Sequence, residues 1–97
     1  MKIIKKNPPR KYNVGIDNQI TIKDCGSILL EENEQITFLT NNQKEYDVAR
    51  KNWGFYATPS VNLRLKNQGF KTALVRNSMG QWYIMLVEKD KVKKFIN

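Results

Sequence analysis

The chain predicts an α+β domain: a small, strongly bent or partly closed antiparallel sheet of six or seven short strands with one main helix. Three observations lead there. Apolar residues recur at period two through most of the 97 residues, the signature of half-buried strands. One segment, 58–69, carries matched helix start and stop signals. There is neither an internal repeat nor an apolar run of the ~20 residues that a membrane span needs. The length suits a single domain, and the sequence divides into a basic extended arm, 1–11, and one α+β domain, 12–97.

The arm opens MKIIKKNPPRK, and Pro8-Pro9 holds it extended and out of a sheet interior. Tyr12, Val14 and Ile16 alternate as an opening strand. Ile20 and Ile22 share a face of the next, with Thr21 and Lys23 opposite. Asp24-Cys25-Gly26 marks a turn or bulge, after which Ile28 and Leu30 resume the apolar face. Glu32-Asn33-Glu34 breaks the run. Ile36 and Phe38 then make a third strand that closes at Asn41-Asn42, and Tyr46 and Val48 a shorter fourth.

In TPSVNLRLKNQGF, Thr58 is a suitable N-cap and Pro59 falls at the first helical position, where a missing N–H costs nothing. Val61 and Leu65 form a narrow apolar stripe. Gly69 supplies a left-handed ending, and Phe70 can fold back on Leu65. A hairpin follows, with residues 70–75 running out, 81–87 returning, and Gly80 giving positive φ in the loop. The returning strand is apolar on both faces: Trp82, Ile84 and Leu86 on one, Tyr83, Met85 and Val87 on the other. Such a strand is ordinarily covered on both sides, so it is expected at the centre of the sheet. Asp90 then caps a last amphipathic turn that points Val92, Phe95 and Ile96 inward.

Composition limits the chemistry. The chain has 17 Lys and Arg against 9 Asp and Glu, net +8, with no His and one Cys. Lacking histidine, it lacks the commonest general base and metal ligand. Cys25 alone permits no intrachain disulfide, no Cys–His nucleophile and no CxxC zinc site. The charge is uneven: +5 over 1–11, −5 over 12–47 and +8 over 48–97. Such polarity either attracts an anionic partner to one side or pairs one part of the chain with another. Ile3-Ile4 is too short for the apolar core of a signal peptide, so the expected compartment is the cytoplasm. No cofactor or metal is expected.

Chemistry-bearing residues are densest over 50–64. A phosphate or carboxylate held near the helix start would take donors from Thr58, Ser60 and Asn62, counter-charge from Arg50 or Arg64, and packing from Trp53 and Tyr56. The alternative is structural, with Thr58 merely a cap and the aromatics packing. Gly54 between aromatics suggests a bulge.

Tyr46-Asp47-Val48, the run from Trp53 to Ser60, Asn62 with Arg64-Leu65, and Met85-Leu86-Val87-Glu88 resemble a group of small bacterial proteins associated with surface-polysaccharide and nucleotide-sugar biosynthesis. The resemblance covers about half the chain and departs at Leu63, where those proteins commonly carry a small residue. It implies a bacterial accessory role in that setting and brings no catalytic residues with it. Two functions are therefore expected to compete. One is a non-catalytic accessory protein that binds a partner enzyme or a phosphate-bearing sugar. The other is a small basic nucleic-acid-binding module, in which aromatics interleaved with cations stack on bases. An open sheet also leaves edges through which a homodimer can form.

Overall fold

The computed structural model describes residues 1–96. It is strand-rich, with seven antiparallel strands and two short helices, and divides into two compact units: Met1–Glu34, and the residues from Gln35 onward. The strands do not join in one sheet. They form three sheets, of two, three and two strands, in which every pairing is between strands consecutive in sequence. The physical reason is local. Each pair is closed by its own short turn, and period-two alternation specifies a strand's faces without specifying a second neighbour.

The first unit is a long hairpin. β1 (Lys2–Val14) pairs with β2 (Ile20–Leu29) across a 3₁₀ turn at Ile16–Asn18. The basic segment 1–11 is extended and pairs with β2 in a two-stranded sheet, where it is an edge strand and not in a sheet interior. The register shifts between Lys5 and Arg10, so residues 6–9 form an irregularity there, and Pro8 and Pro9 sit where no ladder donor is required. Of the turn or bulge expected at Asp24-Cys25-Gly26, the structure has the irregular pairing and not the turn, and β2 runs through it as one continuous strand. Gly26 makes this possible: its φ is 145°, and a Cβ there would lie 2.1 Å from the Ile4 carbonyl oxygen.

The polar members of this hairpin are internally matched. Lys6 Nζ donates to Asp24 Oδ2 at 2.5 Å and Arg10 Nε at 3.3 Å. These cations, with the Gly26 amide, hold the Asp24 carboxyl below its ordinary range, the Lys6 bond contributing most. Glu34 is lowered likewise, chiefly by the Glu31 amide and then by the terminal ammonium. Much of the basic opening and the acidic stretch after it thus balance within one unit.

The second unit begins with a meander: β3 (Gln35–Leu39), β4 (Glu45–Lys51) and β5 (Gly54–Ala57). β5 is a strand that the sequence reading treats only as an aromatic segment with a bulge. The expected helix over 58–69 contracts to α1 (Arg64–Asn67), with turns at 61–63 before it. The residue flanking the helix start is Leu63 (φ −128°, ψ −89°), so Thr58 is not the N-cap. Ser60 is responsible. Its carbonyl accepts from the Leu63 and Leu65 amides, and its hydroxyl accepts from the Arg64 amide at 3.2 Å. These bonds offer the chain an alternative to helix. Val61 and Leu63 remain exposed, so only Leu65 draws the segment inward.

The helix stop is as expected. Gly69 (φ 89°) donates to the Lys66 carbonyl, and Leu65 and Phe70 are both buried. β6 (Phe70–Arg76) and β7 (Trp82–Glu88) form the expected hairpin, its loop tied by the Asn77 side-chain carbonyl accepting from the Met79 and Gln81 amides. β7 is not central and not covered on both faces. It pairs with β6 alone, and Trp82 and Ile84 are 59% and 74% exposed. After a 3₁₀ turn at Lys89–Lys91, α2 (Val92–Ile96) brings Val92, Phe95 and Ile96 beside Ala73 and Val87 around a cleft of about 140 Å³. Asp90 lies inside the 3₁₀ turn and caps nothing.

Buried apolar residues are few: Ala49, Leu65 and Phe70 in this unit, and Leu30 in the first. Two buried carboxylates supplement them. Glu88, 6% exposed, accepts from the Thr40 hydroxyl at 2.6 Å and Asn42 Nδ2 at 3.3 Å, and pairs with Lys91 Nζ at 3.0 Å. It thereby ties the β3–β4 turn to the end of β7.

Two outcomes follow from this arrangement. Gly26→Ala, strained in φ and in contact with backbone, should destabilise the first hairpin by about 2 kcal/mol. Amide hydrogen exchange across Ile3–Lys5 and Ser27–Leu29 should then speed at least ~10-fold; unchanged protection would contradict the close approach. Glu88 is held below its usual range, first by the Thr40 hydroxyl, then by Lys91. Its contribution is therefore complete above the ordinary carboxylate range and lost as pH falls through the lowered value. The urea midpoint read by tryptophan fluorescence, which reports only this unit, should fall on acidification below about pH 4.5. In Glu88→Gln that fall should be shallower.

Candidate functional site

The sequence-selected residues are brought only partly together. Register places Tyr56 opposite Ala49, and Arg50 opposite Phe55. Side chains alternate across a strand, so Arg50 lies on the face of the β3–β5 sheet opposite to that of Asp47, Ala49 and Tyr56. Arg64 belongs to the Asp47 face, because its Nη2 is 3.0 Å from Asp47 Oδ2. Arg50 and Arg64, the two alternative counter-charges, are thus on opposite sides of a sheet.

Arg64 and Thr58 do converge, but on an internal acid, while Ser60 is engaged by the backbone amides of Leu63, Arg64 and Leu65. Asp47 is 4% exposed. It accepts from the hydroxyl of Thr37, its cross-strand partner, at 2.6 Å, and pairs with Arg64. The same guanidinium nitrogen donates to the Thr58 hydroxyl at 2.8 Å, and the Thr58 amide donates to the Asp47 carbonyl at 3.0 Å. This cluster is a closed structural joint with its own carboxylate in the place an anion would take. Asn62 is exposed in the turn before α1, and α1 is one turn long, which leaves no helix-start site.

Trp53 and Tyr56 form a separate feature. Their rings stack with centroids 6.2 Å apart and planes inclined by 28°, and Trp53 is 68% exposed. Phe55, Trp82 and Tyr83 are exposed as well, where Trp82 and Tyr83 are expected from sequence to be covered.

The arrangement best suited to a ligand lies elsewhere in the second unit. A cleft of about 460 Å³ is lined by Val61, Lys66, Phe70, Lys71, Thr72, Lys89 and Val92. Its lining combines three apolar residues with three lysines and one threonine, and it includes no acidic residue. The three lysines come from three different elements. Lys66 is on α1, directly before the Gly69 ending. Lys71 is the second residue of β6. Lys89 is fixed because its amide donates to the Gly69 carbonyl at 2.8 Å, which seats the 3₁₀ turn against the α1–β6 junction. Among the described residues none of the three forms an ion pair.

Charge by unit supports the same place. Residues 1–34 hold six Lys and Arg against five Asp and Glu, net +1; residues 35–97 hold eleven against four, net +7. Two of those four acids, Asp47 and Glu88, are buried in ion pairs. Sequence inspection missed this cleft because its lysines, at 66, 71 and 89, are spread over 24 positions and match no motif. The available signal was negative: from residue 48 to 87 there is no acid at all.

Comparison of the chain with protein-family models, with curated proteins and with solved structures finds no match. Among the described residues no group of three or more His, Cys, Asp or Glu is placed to hold a metal ion, and no helix is long and apolar enough to cross a membrane.

The Asp47 joint can be tested by double-mutant cycle. Asp47→Ala and Arg64→Ala should each lower the stability of the second unit by about 2 kcal/mol, since each breaks a pair whose acid is buried. The double variant should lose clearly less than the two combined, a coupling that urea unfolding measures. Strict additivity would show that the pair is not the joint.

Proposed function

We propose that the protein is a non-catalytic accessory protein of bacterial surface-glycan biosynthesis, and that it binds an anionic, phosphate-bearing sugar in the lysine cleft of its second unit. The observation that carries the ligand class is a cleft whose lining includes Lys66, Lys71 and Lys89 beside Val61, Phe70 and Val92, and no acidic residue. Ammonium groups act on phosphate as point charges, and three of them suit a diphosphate better than a single carboxylate. Val61, Phe70 and Val92 offer apolar surface for the carbon face of a sugar or a nucleoside. A cleft of this size is within the range of small-ligand sites. The resemblance over residues 46–65 and 85–88 supplies the pathway setting.

The non-catalytic reading rests on the fate of the acids. Asp47 and Glu88 are engaged by Arg64 and Lys91, and Asp24 by Lys6 and Arg10. There is no histidine. No acid–base pair therefore borders the cleft.

A second reading, single-stranded nucleic acid, is favoured by the stacked and exposed Trp53–Tyr56 pair within a unit of net +7. Stacking platforms with flanking cations hold single strands with little sequence preference.

Titration by amide NMR separates the two. A nucleoside-diphosphate sugar should shift the amides of Val61, Lys71 and Thr72 saturably. Lys66→Ala/Lys71→Ala/Lys89→Ala should weaken binding at least ~10-fold, while Trp53→Ala should leave it unchanged. No saturation at 10 mM ligand, on the order of the weakest useful affinities, would sink the cleft reading. Oligonucleotide binding with a steep salt slope, lost in Trp53→Ala, would establish the other.

A further inference from the structure

We infer that the first unit is a self-association module, in which the tip of the Met1–Glu34 hairpin packs face to face with that of a second copy. The observation is a one-sided distribution of side chains. Near the tip, Tyr12 is opposite Ile22 and Val14 opposite Ile20, whereas the alternating pairs are Lys11 with Lys23 and Asn13 with Thr21. The Thr21 hydroxyl donates to Asn13 Oδ1 at 2.9 Å, which places those two together on the polar side. The apolar side continues into the turn at Ile16, 88% exposed, and Ile20 is 58% exposed.

A two-stranded ribbon with one apolar face is marginal unless that face is covered. Within this unit only Leu30 is buried among the apolar residues, so no core forms beneath the face.

Three features select a second copy as the occupant. The first is charge. This unit is close to neutral, at +1, so two copies approach here without the repulsion that +7 imposes on the other unit. The second is polarity along the hairpin. Asp17 lies at the tip, and the Lys6–Arg10–Asp24 cluster, net +1, lies on the other side of the Tyr12–Val14 region. A twofold axis through that region sets the Asp17 end of each copy toward the basic end of the other, at the ~10 Å that three residues of strand span.

The third is the edge. Pro8, Pro9 and the register shift interrupt β1, so continuous extension of the sheet through that strand is blocked, which favours the apolar face as the contact. The exposed parts of Tyr12, Val14, Ile16, Ile20 and Ile22 amount to on the order of 400–500 Å² per copy, which with flanking atoms reaches the lower bound of specific interfaces. The assembly is therefore a weak dimer.

Sedimentation velocity of the full chain between 5 and 200 µM should show a monomer–dimer equilibrium with Kd of tens of micromolar, about the strength of a small interface. Ile16→Asp removes no burial within one copy, so it should leave the circular dichroism unchanged and weaken dimerisation at least ~10-fold. Asp17→Lys should weaken it less, and most at low salt. Ile84→Lys, in the second unit, and the triple-lysine cleft variant should leave it intact, which keeps this inference separate from the ligand reading. Nuclear Overhauser contacts between Ile20 and Ile22 methyls of labelled and unlabelled copies should appear in mixed samples. A wild-type monomer at 200 µM, or a dimer indifferent to Ile16→Asp, overturns the inference.

Discussion

The Asp47–Arg64 pair is the constraint from which the second unit takes its geometry. An aspartate at the middle of β4 is taken out of water, and that is tolerable only if its oxygens are filled. Thr37 fills one from the neighbouring strand, and Arg64 fills the other from beyond the meander. The segment from Thr58 to Arg64 must then return to the sheet, and Thr58 closes the loop on both members of the pair, its amide donating to the Asp47 carbonyl and its hydroxyl accepting from Arg64. Once Arg64 is fixed, Lys66 is set two residues along α1 and the Gly69 ending follows. The Lys89 amide docks onto that ending. The lysine cleft is thus positioned by a carboxylate that takes no part in it.

Polar joints suit this chain because its apolar surface is organised hairpin by hairpin. Ala49, Leu65 and Phe70 make a small buried set, while Ile84, Trp82 and Trp53 remain in solvent. A core of that size contributes limited directionless stabilisation. Hydrogen-bonded carboxylates contribute less net free energy, yet they fix which groups meet. Asp47 fixes the α1 segment to the meander, and Glu88 fixes the β3–β4 turn to the end of β7. The two acids also withdraw negative charge from the surface of the most basic part of the chain.

What could be read from sequence follows the range of the interaction that decides each feature. The β6–β7 hairpin, the Gly69 stop and the positions of β3 and β4 depend on neighbours within a few residues, and all were legible. The helix over 58–69 was not, because Thr58-Pro59 is a valid start signal that Asp47 and Ser60 divert to other partners. β7 reads as a central strand since its composition reports apolarity on both faces, but composition cannot supply a second neighbouring strand. Arg50 and Arg64 are equivalent in sequence as counter-charges to one site. Only the register, with Arg50 opposite Phe55, shows that a sheet separates them.

The same distinction reinterprets the net charge. Taken along the sequence, the acidic stretch 12–47 separates two basic ones and suggests that one half of the chain neutralises the other. Taken by structural unit, the acids of 12–34 answer the cations of 1–11 inside a single hairpin, with Asp24 between Lys6 and Arg10. The second unit retains nearly the whole excess, and two of its four acids are spent on joints. Charge neutralised in one unit and conserved in the other permits two kinds of contact on one chain. A nearly neutral apolar ribbon can meet its own kind, while a strongly cationic unit repels its own kind and attracts phosphate. A uniformly spread +8 would have weakened both.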